Sequence, residues 1–434
     1  MKSTLIFLPA RIAIAAVLGL TLTTVSAAGV NERVLHSFSG NDGKLPEASL
    51  ALDSAGNLYG TTFEGGTGDH TLCSQGCGVV FKLSRSSNGA NETVLYNFCS
   101  LANCSDGASP AAGLILDSAG NLYGTTTGGG TQNPSCPGPT GCGTVFELVH
   151  NSDDTWTEVV LHRFSITDGA APQAGLTFDS AGNLYGTTSQ GGAYGFGLVF
   201  MLTPSAGSWT QSVLYSFTGS TDGNEPFAGV ILDSAGNLYG TTYRGGLQTG
   251  MCGTIQGCGV VFKLAPAVGE SWTETVLHAF NGGDGADIVS GLTFDAAGNL
   301  YGAAYLGGTS RKCGLQGCGL IFKLTLNRNG AWTETELHSF TDGSAGAHPT
   351  GTLVFDSTGN LYATTRGGGT ALDGVVFELS PIGPGNWKEQ ALSFSGANGS
   401  APDAGVIFDS AGNVYGTTSF GGTSGDGVVF RISR

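Results

Sequence analysis

Glu47 and Asp403 are the two carboxylic acids of this chain best placed to work as a pair. Each directly follows a loop proline, as Pro46-Glu47 and Pro402-Asp403. The matching position elsewhere is Ala111, Gln173, Phe227 or Thr350, with Val289 where the proline is missing. Two carboxyls within about 10 Å of one another can divide acid and base work at a glycosidic bond. A second set, Glu64, Gln190, Tyr243, Arg244, Tyr305, Arg366 and Phe420, follows another recurring strand. Arg244 and Arg366 bring cations; Tyr243 and Tyr305 bring apolar faces with polar tips. Glu47, Asp403, Arg244, Arg366, Tyr243 and Tyr305 are therefore the candidate ligand-binding residues, with no residue assigned to catalysis. Ordinary loop surface is the competing account.

The other reactive residue types recur too regularly to form one site. Seven aspartates, Asp53, Asp117, Asp179, Asp233, Asp295, Asp356 and Asp409, each open a turn such as Asp-Ser-Ala-Gly-Asn. Carboxylate and backbone oxygens there suit calcium. One acid per turn fits an Asx-type turn better, and structural calcium is the only cofactor the chain suggests. Four of the seven histidines, His36, His162, His278 and His338, hold one strand position that Tyr96 and Tyr215 fill elsewhere. That interchange marks packing between strands. His70, His150 and His348 have no adjacent Ser or Cys in a nucleophile pattern. The five tryptophans, Trp156, Trp209, Trp272, Trp332 and Trp387, each open the same strand and point to outer packing.

The ten cysteines fall into close pairs: Cys73/Cys77, Cys99/Cys104, Cys136/Cys142, Cys252/Cys258 and Cys313/Cys318. Local pairing of an even count fits disulfides in an oxidising compartment. Zinc knuckles would need steadier spacing and paired knuckles, so no metal site is expected. Each bridge closes a short loop, so its work is to brace a loop tip more than to stabilise the whole chain.

These residues hang on a repeat. The phrase Leu52-Asp53-Ser54-Ala55-Gly56-Asn57-Leu58-Tyr59-Gly60-Thr61-Thr62 returns seven times, at spacings of 53 to 64 residues. Each copy holds four strand signals. In the second copy they are strand A (Gly113-Leu114-Ile115-Leu116), strand B (122–126), strand C (143–148) and strand D (156–164). Alternating apolar residues bounded by turn residues give this pattern. No useful helical period follows the leader. Four antiparallel strands repeated seven times predict an all-β, seven-bladed β-propeller. The ends support a ring over a solenoid. The last copy stops after strand C (427–432), while 32–38 reads as an orphan strand D. Pairing them completes the blade of residues 403–434 and leaves no open end. In such a ring the D–A and B–C loops share one face, which then holds all five cysteine pairs.

The Asp-Ser-Ala-Gly-Asn-Leu-Tyr-Gly-Thr-Thr phrase, followed by Gly-Gly and Val-Val-Phe, resembles the GloVer tandem repeat of choice-of-anchor bacterial surface proteins. The resemblance spans residues 32–434. More loosely, the Gly-Leu-x-x-Asp…Gly-Asn-Leu-Tyr hairpin is similar to NHL and SMP-30-like blades. The resemblance implies export and surface or envelope association, and brings no reaction and no catalytic residue. The absence of a C-terminal anchor, frequent in relatives, leads to an expectation of release.

Composition agrees. Lys2, Arg11, the apolar run from Ile12 to Leu22 and Val25-Ser26-Ala27 form a secretory leader at 1–27, too short for a comfortable span. The expected mature chain, 28–434, is one domain. Glycine is abundant (74 residues) and only 12% of residues are charged, as tight turns between short strands require. Losing Lys2 and Arg11 takes the net charge from −16 to −18. That charge repels nucleic acid and anionic membranes. The expected protein is a monomeric, secreted or envelope-associated binding module for a glycan, peptide or surface protein. An extracellular hydrolase or lyase is the first alternative, and a structural envelope protein the second; the fold admits all three.

Overall fold

A computed structural model describes residues 31–433, apart from 69–70, 87–88, 138–139, 249–250, 255, 270 and 384. The expected leader at 1–27, His70 and Arg434 lie outside the described residues. The chain forms seven antiparallel sheets, each following the order A-B-C-D. In blade 1 the strands are Ala51–Leu52, Leu58–Thr62, Val79–Ser86 and Gly89–Asn97. Blade 7 consists of Ile407–Phe408, Val414–Thr418, Val428–Ser433 and, as its strand D, Asn31–Ser37. The ring is closed as the missing-strand argument requires. Register runs from Asn31 opposite Ser433 to Ser37 opposite Val428, with a bulge that skips Leu35. Strand D of blades 1 to 5 bulges at the equivalent leucines, Leu95, Leu161, Leu214, Leu277 and Leu337. The N-terminal strand therefore carries the detailed geometry of a strand D, and not its composition alone.

Two details differ from the sequence pattern. Strand A is only two residues long, as at Ile115–Leu116. The residues before it turn aside so that their carbonyls can receive threonine hydroxyls from the preceding blade. A four-residue helix, Met251–Thr254, sits in one B–C loop and carries Cys252.

Three kinds of side-chain contact join neighbouring blades. The phenylalanine ending strand D packs edge-on against the strand C phenylalanine of the following blade. The seven pairs run from Phe38–Phe81 to Phe394–Phe430, with centroids 5.0–5.2 Å apart. All fourteen rings are fully buried. Such pairs add roughly 0.5–1.5 kcal/mol beyond burial itself. The first threonine of strand B donates across the junction to the carbonyl of an alanine just before strand A: Thr61 to Ala112, Thr125 to Ala174, Thr187 to Ala228, and Thr417 to Ala48 over the seam. Four of the tryptophans lie against the strand B tyrosine of the preceding blade, as in Tyr59–Trp156 and Tyr185–Trp272.

The turn aspartates direct both oxygens at their own hairpins, and Asp409 also receives Arg85 from blade 1. Asp409 Oδ1 accepts the Asn413 backbone N–H, and Oδ2 accepts from Asn413 Nδ2 and Tyr415 OH. Burial alone would raise this acid; the bonds outweigh it and hold it at about 2.

Candidate functional site

The loop face is built by one strained residue per blade. Leu45, Ser109, Ala171, Glu225, Asp287, His348 and Ala401 all occupy the left-handed region, with φ between 51 and 60°. A non-glycine residue there costs about 1–2 kcal/mol. The strain persists because the residue staples two blades. Leu45 donates its N–H to Asp426 of blade 7 and accepts from Phe63 of blade 1; Ser109 and Ala171 repeat the pattern. Two residues further along, after the turn, come Glu47, Ala111, Gln173, Phe227, Val289, Thr350 and Asp403. All seven line a single cavity of about 410 Å³, joined there by Tyr243, Tyr305 and Arg366. One residue from every blade can meet in one cavity only on the ring axis, so this is the mouth of the central channel.

Five of the six residues singled out from sequence thus line this one cavity. The acids lie together on the blade 1, 6 and 7 side. Burial, then the negative charge of Asp403, raises Glu47 to about 7, with Arg366 opposing and Glu64 adding to the rise. No hydrogen bond joins the Glu47 carboxyl to another described residue. Asp403 is better held. Ser419 Oγ donates to its Oδ2 at 2.6 Å, and Arg366 Nη1 lies 3.3 Å from Oδ1 as an ion pair without hydrogen-bond alignment. Burial still leaves Asp403 above the usual carboxylate range. The opposite side is aromatic. Phe227 and Tyr243 lean together at 5.0 Å, and Tyr305 stacks on His348 at 4.6 Å. His348 Nδ1 also approaches the Tyr305 carbonyl, at 3.1 Å.

Arg244 is not among the cavity-lining residues. Its guanidinium lies 4.6 Å over the Tyr243 ring, and Nη2 donates to the Tyr243 hydroxyl. Tyr243 OH in turn donates to Asp287 at 3.3 Å, and Arg244 Nε lies 3.7 Å from the same carboxylate. Arg244 and Asp287 therefore hold Tyr243 in place. The supports Asp287, His348 and Ser419 were not picked out from sequence. Their one signal is position: the first two sit two residues before a channel residue, in the stapling turn.

All five disulfides form with the expected partners. They brace the loop face, with Cys77, Cys104, Cys142, Cys252, Cys258 and Cys318 fully buried. Five bridges fit an oxidising compartment. Among the described residues, no helix is long and apolar enough to cross a membrane.

Among the described residues two clusters bring three metal-ligating side chains together. Cys73, Cys77 and Cys104 are engaged in disulfides. His36, Asp42 and Glu92 meet between the outer strands of blades 7 and 1, with His36 Nε2 3.0 Å from Asp42. This second arrangement recurs around the ring, with Tyr96, Asp106 and Glu158, or Tyr215, Asp222 and Glu274, at other junctions. Recurrence with tyrosine in place of histidine marks it as a strut between blades. Burial first, then the facing aspartate, raises Glu92, Glu158 and Glu274 to about 7. Glu334 also reaches about 7 by burial, with Asp284 adding and His278 opposing.

The comparisons with known proteins agree with the ring. No curated protein matches the chain in sequence. Among solved structures, a candidate 6-phosphogluconolactonase from Bacteroides fragilis NCTC 9343 superposes with a TM-score of 0.50 at 15% identity. That match covers 84% of this chain and 87% of the other. A second such protein, from Bacteroides uniformis ATCC 8492, gives 0.47 at 12% identity, over 79% and 83% of the two chains. The first likeness shows the fold alone. In sequence, the Gloeobacter/Verrucomicrobia repeat matches residues 19–136, 134–316 and 305–434, which together take in every blade. The chain thus belongs to the Gloeobacter/Verrucomicrobia repeat family.

Proposed function

We propose that the protein is a secreted or envelope-associated binding module that receives a glycan segment at the channel mouth. The observation that carries this reading is the convergence of seven non-repeated residues, one per blade, on a single cavity. Its two walls suit a sugar: Phe227, Tyr243 and Tyr305 offer faces to C–H surfaces, while Glu47, Gln173, Thr350 and Asp403 offer polar groups to hydroxyls. Arg366 beside Asp403 lessens the negative charge on the polar wall. The five disulfides support action in an oxidising compartment outside the cytoplasm. A glycan-array screen of the folded, oxidised chain tests this. Hits that vanish in Tyr305→Ala and Glu47→Gln are expected; an array without hits sinks the glycan reading.

A second reading is favoured by one observation, the protonatable Glu47 sharing a wall with Asp403. An acid near neutrality beside a second carboxyl suits glycoside hydrolysis or elimination. Reducing ends or unsaturated sugars released from an array hit by the parent, and not by Glu47→Gln, would establish it.

A further inference from the structure

The seam between the last and first blades carries a charge pattern that the other blades lack. Arg33 of the N-terminal strand and Arg431 of strand C are direct cross-strand partners. At the same register the other blades pair Lys82 with Thr93, Glu147 with Val159, Met201 with Ser212, Lys263 with Thr275, Lys323 with Thr335 and Glu378 with Gln390. Like charges directly opposite on antiparallel strands oppose pairing. A third guanidinium, Arg85, comes from strand C of blade 1. Its counterparts are His150, Pro204, Pro266, Leu326 and Pro381.

These three arginines line one cavity of about 130 Å³ between blades 7 and 1, and among the described residues no acid lines it. The cavity has a clear origin. Each of those five counterparts faces a tryptophan, whereas Arg85 faces Ala90. At four other junctions an indole packs against the preceding blade's tyrosine; here strand D of blade 1 has no tryptophan, and space remains beside Tyr415. Arg85 Nη2 is fixed by Asp409 at 3.0 Å and by the Tyr415 hydroxyl at 3.2 Å. Arg431 Nε is buried and has no hydrogen-bond acceptor among the described residues.

We propose that this inter-blade cavity binds a small oxyanion, held among Arg33, Arg85 and Arg431, which ties the closing strand to the first blade. The oxyanion is either free or carried on a ring that takes the space of the missing indole. Guanidinium groups suit both through paired N–H donors. The site is separate from the channel mouth and does not depend on the reading proposed for it.

Calorimetric titration and thermal unfolding of the full oxidised chain test it, with sulfate and benzoate as probes at constant ionic strength in chloride. Saturable binding and a saturable rise in Tm are expected with at least one probe. The better probe identifies the carrier. Arg33→Thr installs the residue found at Thr93, Thr275 and Thr335. It should weaken binding at least tenfold and remove the saturable rise in Tm. Ala90→Trp should fill the cavity and abolish binding. Should Ala90→Trp not fold, Arg33→Thr decides alone. General salting stabilises any fold without saturating. Equal, non-saturating shifts in parent and variants, or no binding of either probe, would overturn the proposal.

Discussion

Glu47 shows how a single residue can be visible in a sequence while its chemistry is not. It stands out because its position differs in every copy, and the same is true of Asp403. Its rise to about 7 depends on burial and on Asp403, and those depend on ring closure. Below pH 7 a neutral Glu47 costs less to cover with a ligand than its carboxylate. Affinity for array hits should therefore be higher at pH 6 than at pH 8, and Glu47→Gln should flatten that dependence in a titration series. Asp287 and His348 were missed because their importance lies in a left-handed turn and in the rings they touch. The turn aspartates were legible as turns, but their tyrosine partners were not. Asp409→Ala removes acceptors for Asn413, Tyr415 and Arg85 together. A loss of about 1–3 kcal/mol is expected in denaturant unfolding, consistent with unpaired half-buried donors.

At the level of elements, period-2 alternation and turn residues placed the B, C and D strands almost to the residue. Strand A came out shorter, and an alanine just before it lends its carbonyl to the neighbouring blade. That service was not legible, because the threonine and the carbonyl it bonds are 40 to 51 residues apart, or 369 across the seam. Thr187→Val keeps the shape and orphans the Ala228 carbonyl at the buried junction. Chemical denaturation should show about 1–3 kcal/mol lost, with strand content in circular dichroism retained. The disulfides were legible from spacing alone. Replacing Cys136 and Cys142 with serine should cost about 2 kcal/mol or less, because the closed loop is short, with local amide exchange rising in residues 131–142.

For the whole molecule, the ring and its closure were readable from a count of one aspartate and a strand missing at one end. The pH dependence of stability was not, since it arises between blades. Glu47, Glu92, Glu158, Glu274 and Glu334 rise from 4.5 to about 7 in the fold. The folded state then holds protons that the unfolded chain releases. Their contribution is complete below pH 4.5 and is lost as pH climbs through 7. Asp356 and Asp409, lowered from 3.8 to about 2, act oppositely and lose their contribution as pH falls through 2. Tm should therefore peak near pH 4–5 and decline toward pH 8, a trend that a scanning-calorimetry series checks directly. The seam also fixes an order of events. Asn31 is made long before its partner Ser433, with the whole ring between them in the chain. During synthesis the N-terminal strand must wait, unpaired and sticky at its edge, while six blades assemble beside it. Cooperative completion of the ring is thus postponed until the final strand emerges. A nascent chain stalled within the seventh repeat should be the species most exposed to proteolysis and to pairing with a neighbour's strand.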